Sequence, residues 1–439
     1  MKSAASFSIG IVLLLAGPLS AAEPPALPLK ISINRRHLAD QKDQPFLIHG
    51  DAPWSIITGV SKQEADRYLE DRRKKGFNSI IVNLIEHKYN GPVNREGEGP
   101  FTIPGDFATP NEKYFAHADW VLRKAAEKDI VVFLFPMYLG SSGGDGDAGW
   151  YQEALLNGFA KCRQYGRYVG RRYKDFANIV WVMGGDRNVG SAREATEAMA
   201  GGIRGADPNH LFTAHAAPEF STMDEYGFAG LDVNATYTYG VVHRMLLRDY
   251  NRKPVMPFFL SESTYEGEHN ASPIQIRRQA YWAMLCGAAG QFIGNRPIWG
   301  FYPGWESALD SEGSRGMVHL RVLFLSRPWQ DLIPDQTHQV LVDGVGEFRG
   351  LDYAGAARTA DKRTLIVYMP TPRTVTVDMA EIAGSRARAW WFDPRGGGVK
   401  EEGEGATSGR RRFAPPGDGD WVLVVEDASL ANKRPNGRE

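Results

Sequence analysis

The chain has 439 residues, 43% hydrophobic and 23% charged, with a formal net charge of −1. That is ordinary globular composition, long enough for a large core and two domains. A near-neutral chain with no long basic run before Arg410-Arg411-Arg412 is poorly suited to a polyanion, so nucleic acid is not expected as a partner.

Residues 1–22 read as a secretory leader. Lys2 supplies the positive start, Ile9 to Ala16 the apolar stretch, and Ser20-Ala21-Ala22 the small residues of a cleavage site. The apolar run is too short for a membrane anchor, and no later stretch is long enough to span a bilayer. Export, periplasmic or secreted, is the expected localisation. Cys162 and Cys286 fall on predicted helices and are expected as buried free thiols; no Cys/His spacing suggests a structural zinc site.

Strand-like runs then alternate with helix-like ones. The first strand, Phe46 to Ile48, ends in His49-Gly-Asp51, and Ser61 with Glu64 forms a capping box for a helix carrying Ala65, Tyr68 and Leu69. Strand two is Ser79 to Asn83, strand three Ile130 to Leu134. A glycine-rich loop, Gly140 to Gly149, holds Asp145 and Asp147 but lacks the remaining ligand pattern of a calcium site. Helix three is expected to bury Leu155, Phe159, Cys162 and Val169. Strand four, Ile179 to Gly185, ends in Asp186. Strand five, Leu211 to Ala214, ends in His215, and strand six, Val233 to Thr236, precedes Tyr237 and Tyr239. Strand seven, Pro257 to Ser261, ends in Glu262. Ser272-Pro273-Ile-Gln275 reads as a second capping box, and strand eight, Gly290 to Ile293, leads to Asn295-Arg-Pro-Ile-Trp299.

Eight near-continuous apolar strands with helices between them predict a (β/α)8 TIM barrel over 29–335. No phosphate-type glycine fingerprint supports a doubly wound sheet. Beyond the barrel, short strands such as Thr364 to Tyr368, Ala387 to Phe392 and Trp421 to Val425 predict an antiparallel β-sandwich over 336–430, with 431–439 as a disordered tail.

Barrel chemistry sits where strand C-termini meet, and two carboxylates at one mouth are the equipment for cleaving a glycosidic bond. Retaining barrel enzymes commonly carry their acid/base after strand four and their nucleophile after strand seven; on that pattern we expect Asp186 as acid/base and Glu262 as nucleophile, with the neighbouring carboxylate raising the pKa of Asp186. Gly184-Gly185 suggests a kink that leaves room beside the acid. Structural ion pairing is the plainer alternative for each acid; Glu266 and Glu268 are rivals further into the loop. Residues expected around the substrate are His49, Asp51, Trp54, Asn83, His87, Asn188, His215, Tyr237, Tyr239, Asn295, Arg296 and Trp299; Glu86 points to the same rim. No metal and no cofactor is required.

At these residues the chain resembles a known family. Phe46 to Trp54, Trp181 to Asn188, Ser261 to Glu266 and Gly294 to Trp299 resemble the apiosidase-like glycoside hydrolases, glycoside hydrolase family 140, and Trp391-Phe-Asp-Pro-Arg395 resembles the β-domain, labelled collagen-binding, that often follows that barrel. The resemblance implies a barrel acting on pectic glycans of the plant cell wall, with an Asp after strand four and a Glu after strand seven, which are Asp186 and Glu262 here. Retaining, exo-acting hydrolysis of an oligo- or polysaccharide by a monomer or weak oligomer is the expectation. Many retaining barrels carry Asn-Glu after strand four, whereas this chain has Gly-Asp; the usual donor to the 2-hydroxyl is missing, and Asn188 and His215 are candidates to replace it. Two other readings remain: a metal-dependent barrel hydrolase using His49, Asp51, His87, His215 and Asp186, and a non-catalytic sugar- or matrix-binding protein.

Overall fold

The computed structural model describes residues 23–87, 89–141, 149–432 and 434–437. The leader expected over 1–22 and the acids 145 and 147 lie outside the described residues. Among those described, no helix is long and apolar enough to cross a membrane.

Eight parallel strands form the centre: β1 (Ile48–Asp51), β2 (Ser79–Asn83), β3 (Val131–Phe135), β4 (Ile179–Gly184), β5 (Phe212–His215), β6 (Asn234–Tyr237), β7 (Phe258–Glu262) and β8 (Gly290–Ile293). They pair in the order β5-β4-β3-β2-β1-β8-β7-β6. Because β8 pairs with β1, the sheet curls back on itself. The seam between β5 and β6 is held at its lower end, where the N–H groups of Asp232 and Val233 donate to the Phe212 carbonyl at 2.8 and 3.2 Å. The result is a nearly closed barrel. Helices α1 (Lys62–Lys74), α2 (Glu112–Ala126), α3 (Tyr151–Tyr173), α4 (Arg193–Arg204), α5 (Thr222–Tyr226), α6 (Val242–Tyr250), α7 (Pro273–Leu285) and α8 (Glu312–Leu325) each follow the strand of the same number.

Local signals govern the helix starts unevenly. Ser61 and Glu64 form the reciprocal capping box of α1. Ser272 makes no side-chain cap, and the Gln275 amide bonds Arg278 and Gln279 instead of completing a capping box. In α3 the backbone breaks phase at Gly158, with φ +60°. That turns Leu155 and Phe159 outward, against expectation, while Ala154, Cys162, Tyr165 and Val169 are buried. Both cysteines are buried and unpaired.

Strand side chains alternate between the barrel interior and the helix layer. Ile48, Ile81, Phe133, Phe135, Val180, Val182, Ala235, Phe259 and Phe292 fill the interior, whereas Ile80, Val82, Val132, Leu134, Trp181 and Met183 face the helices. This parity decides which residues can reach the mouth.

The C-terminal region is two antiparallel sheets. Six strands run in the order 332–334, 355–359, 364–369, 421–427, 386–392, 399–406, and three in the order 341–343, 375–378, 410–413. Leu365, Val367, Trp391, Leu423 and Val425 face Val375, Val377 and Phe413 across the sandwich. The opposite face of the larger sheet carries Ile366, Tyr368, Phe392, Val422 and Val424 onto Tyr281, Trp282, Leu320 and Phe324 of the barrel helices. Strand 332–334 already edges the larger sheet, three residues before the boundary expected at 335/336. Of the expected disordered tail, Asn432 donates to Glu426 at 2.7 Å, and Arg434 lies 5.9 Å from the Trp390 ring. Residues 433, 438 and 439 lie outside the described residues.

Candidate active site

At the C-terminal ends of the strands Asp186, His215 and Glu262 come together. Their donor atoms all lie within 4.8 Å of one another, so one carboxylate oxygen of Asp186 is within that distance of one from Glu262. His215 stands between the acids, its Nε2 2.9 Å from Asp186 Oδ1 and 3.5 Å from Glu262 Oε2.

Each group reaches this point for a local reason. Gly184 adopts φ +94°, and a Cβ there would come within 2.3 Å of the His215 carbonyl oxygen. The glycine thus permits β4 and β5 to approach where Asp186 leaves the strand; close backbone contact, more than room beside the acid, is its role. His215 and Tyr237 point inward by the alternation of β5 and β6. Glu262 would point outward by the same rule, because Phe259 faces the interior and Leu260 the helices. A register shift between Leu260 and Glu262 re-aims it into the mouth.

Above these groups is a hollow of about 120 Å³, lined by Trp54, Tyr89, Tyr138, Asp186, Tyr239, Glu262, Tyr265, Glu268 and Trp299. That is the volume of about four liquid waters. Trp54 Nε1 donates to the Tyr265 hydroxyl at 2.9 Å, and Tyr265 in turn hydrogen-bonds Glu262. Tyr237 donates to Tyr239 at 2.8 Å, and the Tyr239 hydroxyl lies 3.3 Å from Glu262 Oε1. Burial, together with the nearby acids, pushes the Tyr239 and Tyr265 hydroxyls well above the ordinary phenol range, so both remain donors.

The carboxyl that this environment raises is Glu262, to about 7. Burial is the largest cause and Asp186 the second, opposed by His215 and Tyr265. The expectation had placed the raised carboxyl at Asp186. Glu262 is the more deeply enclosed of the two, its side chain 6% exposed against 22% for Asp186. For His215 burial disfavours the cation, but the two carboxylates outweigh it and raise the imidazole to about 9.

Of the residues expected around a substrate, Trp54, Tyr239 and Trp299 line the hollow. His215 and Tyr237 lie behind its wall, their rings 4.6 Å apart. The others do not line it. His49 and Asp51 take outward parity on β1: His49 stacks on Phe77 at 4.8 Å, and Asp51 accepts from Tyr68 at 2.6 Å and pairs with Arg72 at 3.2 Å. Both therefore tie the barrel to its helix layer. Asn83 bonds Glu86, whose other oxygen accepts from Ser55 at 2.5 Å. His87 pairs with Glu153 at 3.0 Å. Asn188 is half-buried beyond the hollow, Asn295 donates to Glu266 at 3.2 Å, and Arg296 is exposed. Glu266 accepts from Gly313 N–H and Ser311, and so anchors the start of α8. Neither Asn188 nor His215 offers a donor on the hollow's surface; the tyrosines do. Sequence reasoning missed Tyr89, Tyr138 and Tyr265 and kept Glu268 only as a rival acid. A search for aromatic residues within about four positions of the ends of β3 and β7 would have found Tyr138 and Tyr265.

The sequence model described as "Apiosidase-like, catalytic domain" matches residues 32–331, and one described as the proposed collagen-binding domain of a collagenase matches 333–426. A solved structure named "Glycoside hydrolase" is 27% identical, with a TM-score of 0.81, covering 92% of this chain and 97% of its own. A glycoside hydrolase family 5 structure from Bacteroides vulgatus ATCC 8482 has the same TM-score of 0.81 at 24% identity, covering 92% and 94%, a likeness of fold. No curated protein matches the chain.

Proposed function

The chain belongs to the apiosidase-like family through its barrel, a glycosidase domain, and from that premise we propose a retaining, exo-acting enzyme that removes sugars from pectic plant-wall glycans. The carrying observation is that carboxylate oxygens of Asp186 and Glu262 lie within 4.8 Å across a sugar-sized hollow. Retaining glycosidases hold their carboxyl groups about 5–5.5 Å apart, while a gap of about 6.5 Å or more admits water and leads to inversion. A hollow this small suits one terminal ring, which is the basis for exo action.

The roles follow from the surroundings. Glu262 accepts from Tyr265 and lies beside the Tyr239 hydroxyl and the His215 cation, all of which favour its anion; it attacks the anomeric carbon. Asp186, the more exposed acid, protonates the departing oxygen and later takes a proton from the water that releases the sugar. In the reacting form Glu262 is ionised and Asp186 carries the proton that it delivers to the leaving oxygen. His215 holds the negative charges together and is a positioning residue. Export from the cell, expected from the leader, suits an extracellular polymer.

Asp186, His215 and Glu262 could also close on a divalent ion, since their donor atoms converge. The test covers both readings. The purified chain is screened against pectic oligosaccharides and aryl glycosides, with Glu262→Gln as blank and a chelator arm. Cleavage with retained anomeric configuration, indifferent to chelator, is expected. Inversion would overturn the nucleophile assignment, and loss of activity on chelation would favour the metal.

A further inference from the structure

Three carboxylates line the hollow, and only two are used by the proposed chemistry. The third is Glu268. Its Oε1 accepts from Trp299 Nε1 at 2.8 Å, which fixes the side chain against the indole that forms one wall. Among the described residues no other hydrogen bond is made to its carboxylate, and Glu268 itself lines the hollow. Loop geometry also holds it, since Glu268 N–H donates to the Tyr265 carbonyl at 3.1 Å and Ala271 N–H to the Glu268 carbonyl at 2.7 Å. Its negative charge is felt by the Tyr239 hydroxyl. Among the described residues the lining otherwise consists of Asp186, Glu262 and six aromatic residues, with no Lys or Arg. The buried cation behind it, His215, is already shared by the catalytic pair.

A fixed carboxylate beside an aromatic face suits sugar chemistry: the ring stacks by its C–H face, and adjacent hydroxyls donate to the acid in charge-assisted bonds. The same arrangement is hostile to a sugar that carries its own carboxylate, which would meet Glu268 and the ionised Glu262 with no Lys or Arg among the described lining residues to pair with it. We propose that Glu268, held by Trp299, is the group that grips the terminal sugar through its hydroxyls, and that it makes the hollow select a neutral ring over a uronic acid. This rests on the glycosidase reading of the site. In a polymer containing both kinds of sugar, it directs the enzyme to neutral side-chain ends.

The experiment measures binding without turnover. Tryptophan fluorescence of the full chain, with Trp54 and Trp299 in the hollow, is titrated with galactose, arabinose and xylose, and with galacturonate and glucuronate, at low and high salt. The parent is expected to bind at least one neutral sugar and to discriminate against both uronates, less so at high salt. Glu268→Gln is expected to weaken neutral binding about tenfold, as loss of a charge-assisted bond does, and to narrow the neutral-to-uronate ratio by a further factor of about ten. Trp299→Phe, which keeps a ring but frees Glu268, should weaken neutral binding without admitting uronates. Uronates bound as tightly as the best neutral sugar, or a ratio unmoved by Glu268→Gln in a folded protein, would overturn the proposal. Neutral binding that responds to Glu268→Gln in a chain that cleaves nothing would leave Glu268 in place and remove the hydrolase reading; cleavage with an unmoved ratio does the reverse.

Discussion

As the proposed nucleophile Glu262 needs its negative charge, and the site raises its pKa to about 7. Ionisation is therefore lost as pH falls through that value, so kcat/KM should fall along an acidic limb near pH 7. His215 lowers the pKa of Glu262 by its charge and contact. His215→Asn should accordingly move the acidic limb to higher pH, a shift that a merely structural histidine would not cause. Substitution of the two acids should separate their roles. Glu262→Gln should reduce kcat on the order of 10³-fold or more for every substrate. Asp186→Asn should be severe for poor leaving groups and mild for aryl glycosides whose phenolate departs unaided, a contrast read from kcat across a leaving-group series.

One element-scale feature decides most of the site: strand parity. His49 and Asp51 sit at a strand end where catalytic groups are found, yet alternation sends both into the helix layer. Asp51 is 1% exposed and Arg72 fully enclosed. Asp51→Ala would leave the buried Arg72 guanidinium to Asp71, Ser314 and the Leu309 carbonyl and should lower stability, seen as a lower midpoint in urea, with KM of the folded fraction unchanged. The loop after β6 depends on a quieter clamp. Glu219 accepts from the N–H groups of Tyr239 and Gly240 at 2.8 and 2.9 Å and from the Thr238 hydroxyl at 2.8 Å. Glu219→Ala should loosen Tyr239 and lower kcat about tenfold, since small misplacements at a reacting centre are costly. Thermal stability should hardly move.

The whole molecule is organised around a sheet buried on both faces. The larger C-terminal sheet closes the sandwich with one set of side chains and covers α7 and α8 with the other. Tyr281 and Tyr368 stack at 4.6 Å, and Arg277 clamps Asp420 through two bonds of 2.9 and 2.8 Å, with the Tyr368 hydroxyl donating to the same acid at 3.0 Å. An interface this apolar and this well satisfied couples the two domains. Calorimetry of the full chain should show one cooperative transition, and a chain ending at residue 331 should aggregate, because Tyr281, Trp282 and Phe324 would lose their cover. Two resolved transitions would show the domains to be independent.

The chain's own pattern determined the barrel, the sandwich and the two acids, because apolar periodicity and strand-end position are local properties of the sequence. Trp54, Tyr239 and Trp299, each past a strand end, were legible as mouth residues and line the hollow. Other matters were settled only in three dimensions. A register shift on β7 reverses the direction of Glu262, and the left-handed Gly184 brings the backbone of β4 against β5. Tyr89, Tyr138, Tyr265 and Glu268 become neighbours only when loops after different strands converge. Burial, which depends on every surrounding element at once, raised the Glu262 carboxyl, and strand parity within the closed barrel left His49 and Asp51 outside the hollow.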